Sequence, residues 1–326
     1  MIIKIARYFT YPDLRRQTPN GDLKWNDFTF TEDDIEECDY LVILDYPKMD
    51  FSIKVKKTNI IHICLEPPNE ISKYRQYGNK QSGLIINQLS INENNMLSHG
   101  ALPWHINKDF DFLSRLGVSE LTKSDKIAWI TSNQRSSVGH GKRMVFLDRI
   151  KTFPFVDLYG RGINPVEDKW NVLSSSKFAI AYENFQNDYY WTEKIVDCFL
   201  SYTMPIYFGC NNILNFFPKN SMIQLDPKEK NIELYLKDVI NSKQWEKNLD
   251  AINEARNLIL YEYQLFPFLY KLINDLENKK GHDEVQPKEI VSFKGGNAYF
   301  DNYPFSVILE KNIFKLKRKL FNSIIT

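Results

Sequence analysis

Residues 177–226 read KFAIAYENFQNDYYWTEKIVDCFLSYTMPIYFGCNNILNFFPKNSMIQLD, and the fold is decided there. The run ending at Tyr182 is apolar on both sides of a strand alternation, which predicts a buried strand. Glu183 and Asn184 end it with two polar groups. Thr192 is placed to cap a helix whose buried face is Val196, Phe199, Leu200 and Thr203. MPIYFG predicts the next strand, NILNFF a short helix and MIQLD a further strand. Strands alternating with helices at this spacing predict a doubly wound α/β domain, with its ligand at the carboxyl ends of the strands.

The same alternation extends upstream. Lys126 to Thr131 predicts a strand, SNQRSSVGHGK a polar loop, and about Arg143 to Thr152 a helix carrying Met144, Leu147 and Ile150. A strand (VDLYG) and a helix around Trp170 follow. A domain boundary is expected near Leu121 to Asp125. Before it, Ile2–Ala6, Tyr40–Leu44 and Asn59–Leu65 predict strands of a second, largely parallel sheet. RRQTPNGDLKWNDFTF reads as polar and turn-rich, and Gly78 to His99 as irregular around a short apolar run. Residues 232–277 are helical in pattern. The division expected is 1–122, 123–280 and an extension, 281–326, packing back on the first domain.

At 326 residues, two domains are favoured over one. A hydrophobic fraction of 43% excludes a disordered chain. With 42 basic and 41 acidic residues the net charge is +1, which excludes a global footprint for nucleic acid. Cys38, Cys64, Cys198 and Cys210 are far apart in apolar runs, as reduced core cysteines of a cytoplasmic protein would be. Lys4 and Arg7 interrupt the first apolar run, so it reads as a strand and not as a leader. The tail KNIFKLKRKLFNSIIT is basic and amphipathic, with Ile313, Leu316, Leu320 and Ile324 on one stripe. It allows a peripheral contact with a membrane or packing onto the first domain.

A helix N-terminus at the end of a parallel strand is an anion site. Lys194 adds a cation suited to a diphosphate, and Glu193 can accept from sugar or ribose hydroxyls. On pattern alone, Glu193 equally complements the helix dipole and Lys194 is equally a solvated charge.

The segment resembles the donor-binding motif of glycosyltransferase family 10, the α-1,3/1,4-fucosyltransferases. The residues that carry the resemblance are Tyr182-Glu183-Asn184, Tyr190-Trp191-Thr192-Glu193-Lys194, Pro205-Ile206-Tyr207-Phe208-Gly209, and Phe217 to Ile223. RQTPNGDLKW, CDYLVILD and LEPP resemble bacterial members more weakly. The resemblance implies an α/β GT-B fold, two Rossmann-like domains facing across a cleft, with the nucleotide sugar on the C-terminal one. It implies an inverting transfer of L-fucose from GDP-fucose to an oligosaccharide hydroxyl, in α-1,3 or α-1,4 linkage. Asn184, Tyr190, Glu193 and Lys194, with Glu183 and Thr192 beside them, fall on donor-binding positions. A positive residue upstream falls on Arg143, with Lys142 and Arg135 as rivals.

The resemblance also asks the first domain for a general base, because an acceptor hydroxyl is a poor nucleophile. Glu66, delivered by the strand NIIHICL and followed by two prolines, matches; Glu70 is the alternative. GDP-fucose is then a co-substrate, and no cofactor or metal is required. Asp109-Phe110-Asp111 has the D-x-D form of a metal site but lies before the donor domain. His62 reads as a core residue, His140 as a candidate for the donor site, and Trp104-His105 as candidates for the acceptor site. Two other readings stay open: the same fold with another nucleotide sugar, and a non-catalytic glycan- or nucleotide-binding protein.

Overall fold

The computed structural model describes residues 1–67, 81–89, 94–135, 137–279 and 286–296, with scattered positions between 305 and 320. The chain divides into two compact units. One is 1–103 with 263–316, the other 104–262 with 317–326. Each is an α/β unit built on a parallel sheet.

In the first unit, β1 (Ile2–Arg7), β3 (Phe28–Thr31), β4 (Tyr40–Leu44), β6 (Ile60–Ile63), β7 (Leu84–Asn87) and β8 (Asn95–Leu97) run parallel. A short strand β2 (Lys24–Trp25) pairs antiparallel with β3 at one edge, and the order is β2-β3-β1-β4-β6-β7-β8. Among the parallel strands, neighbours β1 and β4 are where the chain reverses its direction of winding.

The alternation of side chains explains why YLVIL is apolar throughout. Ile3, Ile5, Val42, Leu44, Ile61 and Ile63 pack with Leu265, Phe266, Leu269 and Ile273. These four lie on α8 (Leu265–Lys279). Ala6, Leu41, Ile43 and Ile60 point the other way. They meet a two-stranded antiparallel ribbon of β5 (Phe51–Val55) and β14 (Glu289–Phe293), through Ile53, Val55, Val291 and Phe293. Each such side chain contributes about 1.5–3 kcal/mol when fully buried.

Six strands of this unit, β2, β3, β5, β7, β8 and β14, do not follow from the sequence reading. The Phe-Thr-Phe alternation of β3 puts Phe28 and Phe30 inside and Thr29 outside, but polar neighbours hide it. Asn26, at φ 52°, makes the tight return between β2 and β3. The stretch taken as irregular supplies β7 and the three-residue β8. Beyond Ile63 the chain stays extended to Leu65, held by Cys64 N–H to Ile86 O at 2.9 Å.

The second unit is closer to its reading. β9 (Ser124–Ile130), β10 (Val156–Tyr159), β11 (Ser176–Tyr182), β12 (Met204–Phe208) and β13 (Ile223–Gln224) form one parallel sheet, in the order β10-β9-β11-β12-β13. Its reversal point lies between β9 and β11. The helices are α1 (Phe110–Arg115), α2 (Val138–Ile150), α3 (Lys169–Leu173), α4 (Glu193–Leu200), α5 (Ile232–Asn241), α6 (Gln244–Lys247) and α7 (Leu249–Leu258). The expected helix at Arg143 starts five residues earlier, at Val138, because Ser137 accepts from His140 N–H and caps it. Two glycines in its first turn made it read as loop.

All four cysteines are buried thiols. Among the described residues, no helix is long and apolar enough to cross a membrane. Phe305, Ile308, Leu309, Ile313, Leu316 and Leu320 are helical and exposed. Ile324 lies outside the described residues, as does Glu70.

Candidate active site

The second unit gathers its charged side chains where β9 and β11 end, the place a doubly wound sheet leaves for a ligand. Arg143, on the second turn of α2, spans that gap. One terminal nitrogen donates to Asn184 Oδ1 at 2.7 Å, beyond β11. The other donates to Ser132, at 3.0 Å to its carbonyl and 3.2 Å to its hydroxyl, beyond β9. The side chain is 4% exposed and its Nε has no hydrogen-bond partner. Burial pushes the guanidinium down to about 10, still charged at neutral pH. Its rivals differ: Lys142 and Arg135 are exposed.

Gly139 brings the start of α2 this close. A β-carbon there would lie 1.6 Å from the Asn184 carbonyl oxygen, so no other residue lets the helix N-terminus meet the end of β11. His140, one residue on, is half-buried in the same turn.

Thr192 caps α4, its hydroxyl accepting from Lys194 N–H at 3.3 Å. Glu183 supports this corner from within. It is 1% exposed, and accepts from Thr192 N–H at 2.8 Å, from the Thr192 hydroxyl, and from Lys194 Nζ at 3.0 Å. Gly209 makes room for it, since a β-carbon would meet Glu183 Cγ at 2.5 Å. Burial raises the Glu183 carboxyl, against the pull of Lys194. Burial works against the Lys194 charge too, but Glu183 and Glu193 outweigh it and raise the amine. Glu193 is half-buried, with its carboxylate 3.5 Å from Lys194 Nζ. Burial opposes its charge, and Lys194, Lys169 and His105 together hold it well below the usual carboxylate range.

Replacing the Glu183 charge while keeping its shape isolates what that charge does. Glu183→Gln is expected to lower unfolding free energy by about 1 kcal/mol, the difference between charged and neutral hydrogen bonds. Urea unfolding measures it, and an unchanged midpoint would show that Lys194 finds another partner.

Three residues here were not singled out in sequence. Asp197, 1% exposed, accepts from His105 N–H at 2.8 Å and from Lys169 Nζ at 2.7 Å. It ties the 104–109 segment and α3 to α4, so Trp104 and His105 belong to the second unit and not to the first. Ser132 was passed over as loop. None has a motif of its own; each is defined by strand order. Tyr190 is 5% exposed and stands edge-on to Phe185, 5.9 Å between ring centroids. Its turn is set by Asn187, whose Oδ1 accepts from Tyr190 N–H at 2.7 Å. Asp109 caps α1, its Oδ1 accepting from Phe112 N–H at 2.7 Å. Among the described residues, no three His, Cys, Asp or Glu side chains cluster as metal ligands.

In the first unit, Glu66 leaves the end of β6 half-buried. Tyr8, just beyond β1, places its hydroxyl 3.4 Å from Glu66 Oε1. His62, lower on β6, is 1% exposed, and burial pushes it down to about 4, as suits a neutral core histidine.

Residues 121–248 match the model of the glycosyltransferase family 10 (fucosyltransferase) C-terminal region. Within the chain, 60 residues are 38% identical to the α-(1,3)-fucosyltransferase FucT of Helicobacter pylori, an alignment that takes in 18% of this chain and 13% of that protein. Among solved structures, a crystal structure of an α1,3-fucosyltransferase is similar over 88% of this chain and 92% of its own. Its identity is 17% and its TM-score 0.48. A glycosyltransferase of Rickettsia africae is similar over 86% and 99%, at 11% identity and a TM-score of 0.45. The switch-point arginine, the Thr192 cap and the Glu183–Lys194 tie all fall inside residues 121–248, the segment that matches the glycosyltransferase family 10 C-terminal model.

Proposed function

We propose that the chain is an inverting glycosyltransferase that moves L-fucose from GDP-fucose to a hydroxyl of an oligosaccharide, in α-1,3 or α-1,4 linkage. The observation that carries the donor half is Arg143, a buried guanidinium across the β9/β11 reversal whose Nε has no hydrogen-bond partner. Arginine in that place suits a diphosphate. Lys194 adds the second cation, and the capped start of α4 adds N–H groups. Asn184, Tyr190 and Glu193 are offered to the sugar and ribose, with Glu183 and Thr192 fixing the corner. Glu66 is the general base, and the GT-B organisation of the two units is part of the proposal. So is a cytoplasmic setting, which the four buried thiols support. The basic tail is offered to a membrane surface.

A glycan array developed with GDP-fucose tests the reading and names the acceptor. Fucose transferred to a defined set of glycans supports it. Transfer from another nucleotide sugar alone would favour the same mechanism with a different donor. Nucleotide binding without any turnover would favour a binding protein.

With Arg143, Lys194 and two helix starts neutralising the diphosphate, the reaction is expected to need no metal. Turnover in excess EDTA should match the untreated enzyme. Loss of turnover restored only by manganese would contradict this and bring Asp109 and Asp111 back into consideration.

A further inference from the structure

We propose that Tyr8 and Asp45 are positioning residues for the Glu66 carboxylate. This rests on the reading of Glu66 as the base. The two stand at the reversal of the first sheet, Tyr8 after β1 and Asp45 after β4, and Glu66 emerges from the neighbouring β6.

Asp45 sits at φ 58°, with Tyr46 N–H bonded to Leu44 O at 2.8 Å, a γ-turn of the strained, positive-φ kind. A non-glycine residue held there has been fixed by its surroundings. The turn has two results. The Asp45 side chain, 4% exposed, is aimed back at the β6 exit, where its Oδ1 accepts from Leu65 N–H at 2.8 Å. The residue before Leu65 is held as well, Cys64 O accepting from Gln88 Nε2 at 2.8 Å. The Cys64–Leu65 peptide that leads to Glu66 is therefore held on both its N–H and its carbonyl, and Cys64 N–H to Ile86 O holds the peptide before it. Pro67 restricts Glu66, the residue before it, to extended backbone.

The second result is Tyr46. Its ring stacks on Tyr8, with centroids 4.3 Å apart and an interplanar angle of 13°. Phe9 stands edge-on to Tyr8 at 5.4 Å. The stack holds the Tyr8 ring so that its hydroxyl reaches Glu66 Oε1 at 3.4 Å, long for such a bond and able to tighten when substrate enters. Arg7, beside Tyr8, is committed to Glu32 through two nitrogens. One γ-turn thus orients the base twice, through its backbone and through its carboxylate.

The test compares Glu66→Gln, Tyr8→Phe, Asp45→Ala and Asp45→Asn, using GDP-fucose and the acceptor with most turnover on the array. Tyr8→Phe keeps the stack and removes the donor. It should lower kcat about three- to tenfold, the worth of one such bond, with melting temperature and GDP affinity unchanged. The acidic limb of kcat/KM should move to higher pH, because a donor to the charged form is gone. Asp45→Ala should cost about tenfold by misplacing the base. Asp45→Asn keeps an acceptor and tolerates positive φ, and should restore most of the loss. If Asp45→Ala does not fold, Tyr8→Phe and its pH profile decide. Near-wild-type turnover in Glu66→Gln overturns the base reading and this one with it. Full activity and an unmoved limb in Tyr8→Phe, with Glu66→Gln inactive, overturn the positioning role alone.

Discussion

Glu66→Gln is expected to lower kcat by roughly 10²–10⁴-fold while leaving GDP affinity within about twofold, since a positioned base is worth that much and the donor contacts lie on other residues. The variant keeps the shape of the side chain and an oxygen facing the Tyr8 hydroxyl. What it removes is the carboxylate proposed to take the acceptor proton. The wild-type pH profile should carry an acidic limb that the variant lacks. A variant that keeps more than about a tenth of wild-type turnover would take the role away from Glu66. Loss of GDP binding along with turnover would make Glu66 a structural residue.

Arg143→Ala is expected to weaken GDP binding by about 10- to 150-fold, which corresponds to one charge-assisted phosphate contact of about 1.5–3 kcal/mol. The site predicts more than a loss of charge. Arg143 is held by Asn184 and Ser132 on either side of the sheet's reversal, so its fork is already oriented. Arg143→Lys keeps the charge but not the fork, and should recover only part of the affinity. Lys194→Ala should weaken binding in the same range. Lys142→Ala, on the exposed face of the same helix, should change nothing. Calorimetry with GDP measures all four. Unchanged affinity in Arg143→Ala would move the role to Lys142 or Arg135.

The second unit was legible because its strands are long apolar runs separated by helices with clear caps. Ser176–Tyr182 and Met204–Phe208 fall where their apolar runs fall, and Thr192 caps α4 as its spacing requires. The edge strands of the first unit were not, because a two- or three-residue strand leaves no periodicity to count. The start of α2 was hidden for a related reason: Gly139 is there to let the helix touch Asn184, and a glycine in sequence speaks for a loop.

The site divides in the same way. Glu183, Asn184, Glu193 and Lys194 were found because they are contiguous with the strand and helix that hold them. Sequence put Arg143 first with Lys142 and Arg135 as rivals, and the three differ in burial, since Arg143 is buried at the sheet's reversal and the other two are exposed. Asp197 and Ser132 could not be found, because their partners lie across the fold. His105 was noticed as a candidate for the acceptor site, but its backbone bond to Asp197 on α4 could not be read from sequence. In the first unit, the link from Tyr8 to Glu66 spans 58 residues and exists only because β1, β4 and β6 lie side by side.

The central claim is that this chain binds and uses GDP-fucose. Its most direct test is a calorimetric titration of the wild-type protein, in EDTA, with GDP-fucose, GDP and UDP-glucose, followed by an assay of GDP release with the array-selected acceptor. The account predicts saturable binding of GDP-fucose and GDP, none of UDP-glucose, and GDP release that depends on acceptor. Binding of UDP-glucose in preference to GDP-fucose, or no binding of either guanine nucleotide, would contradict it.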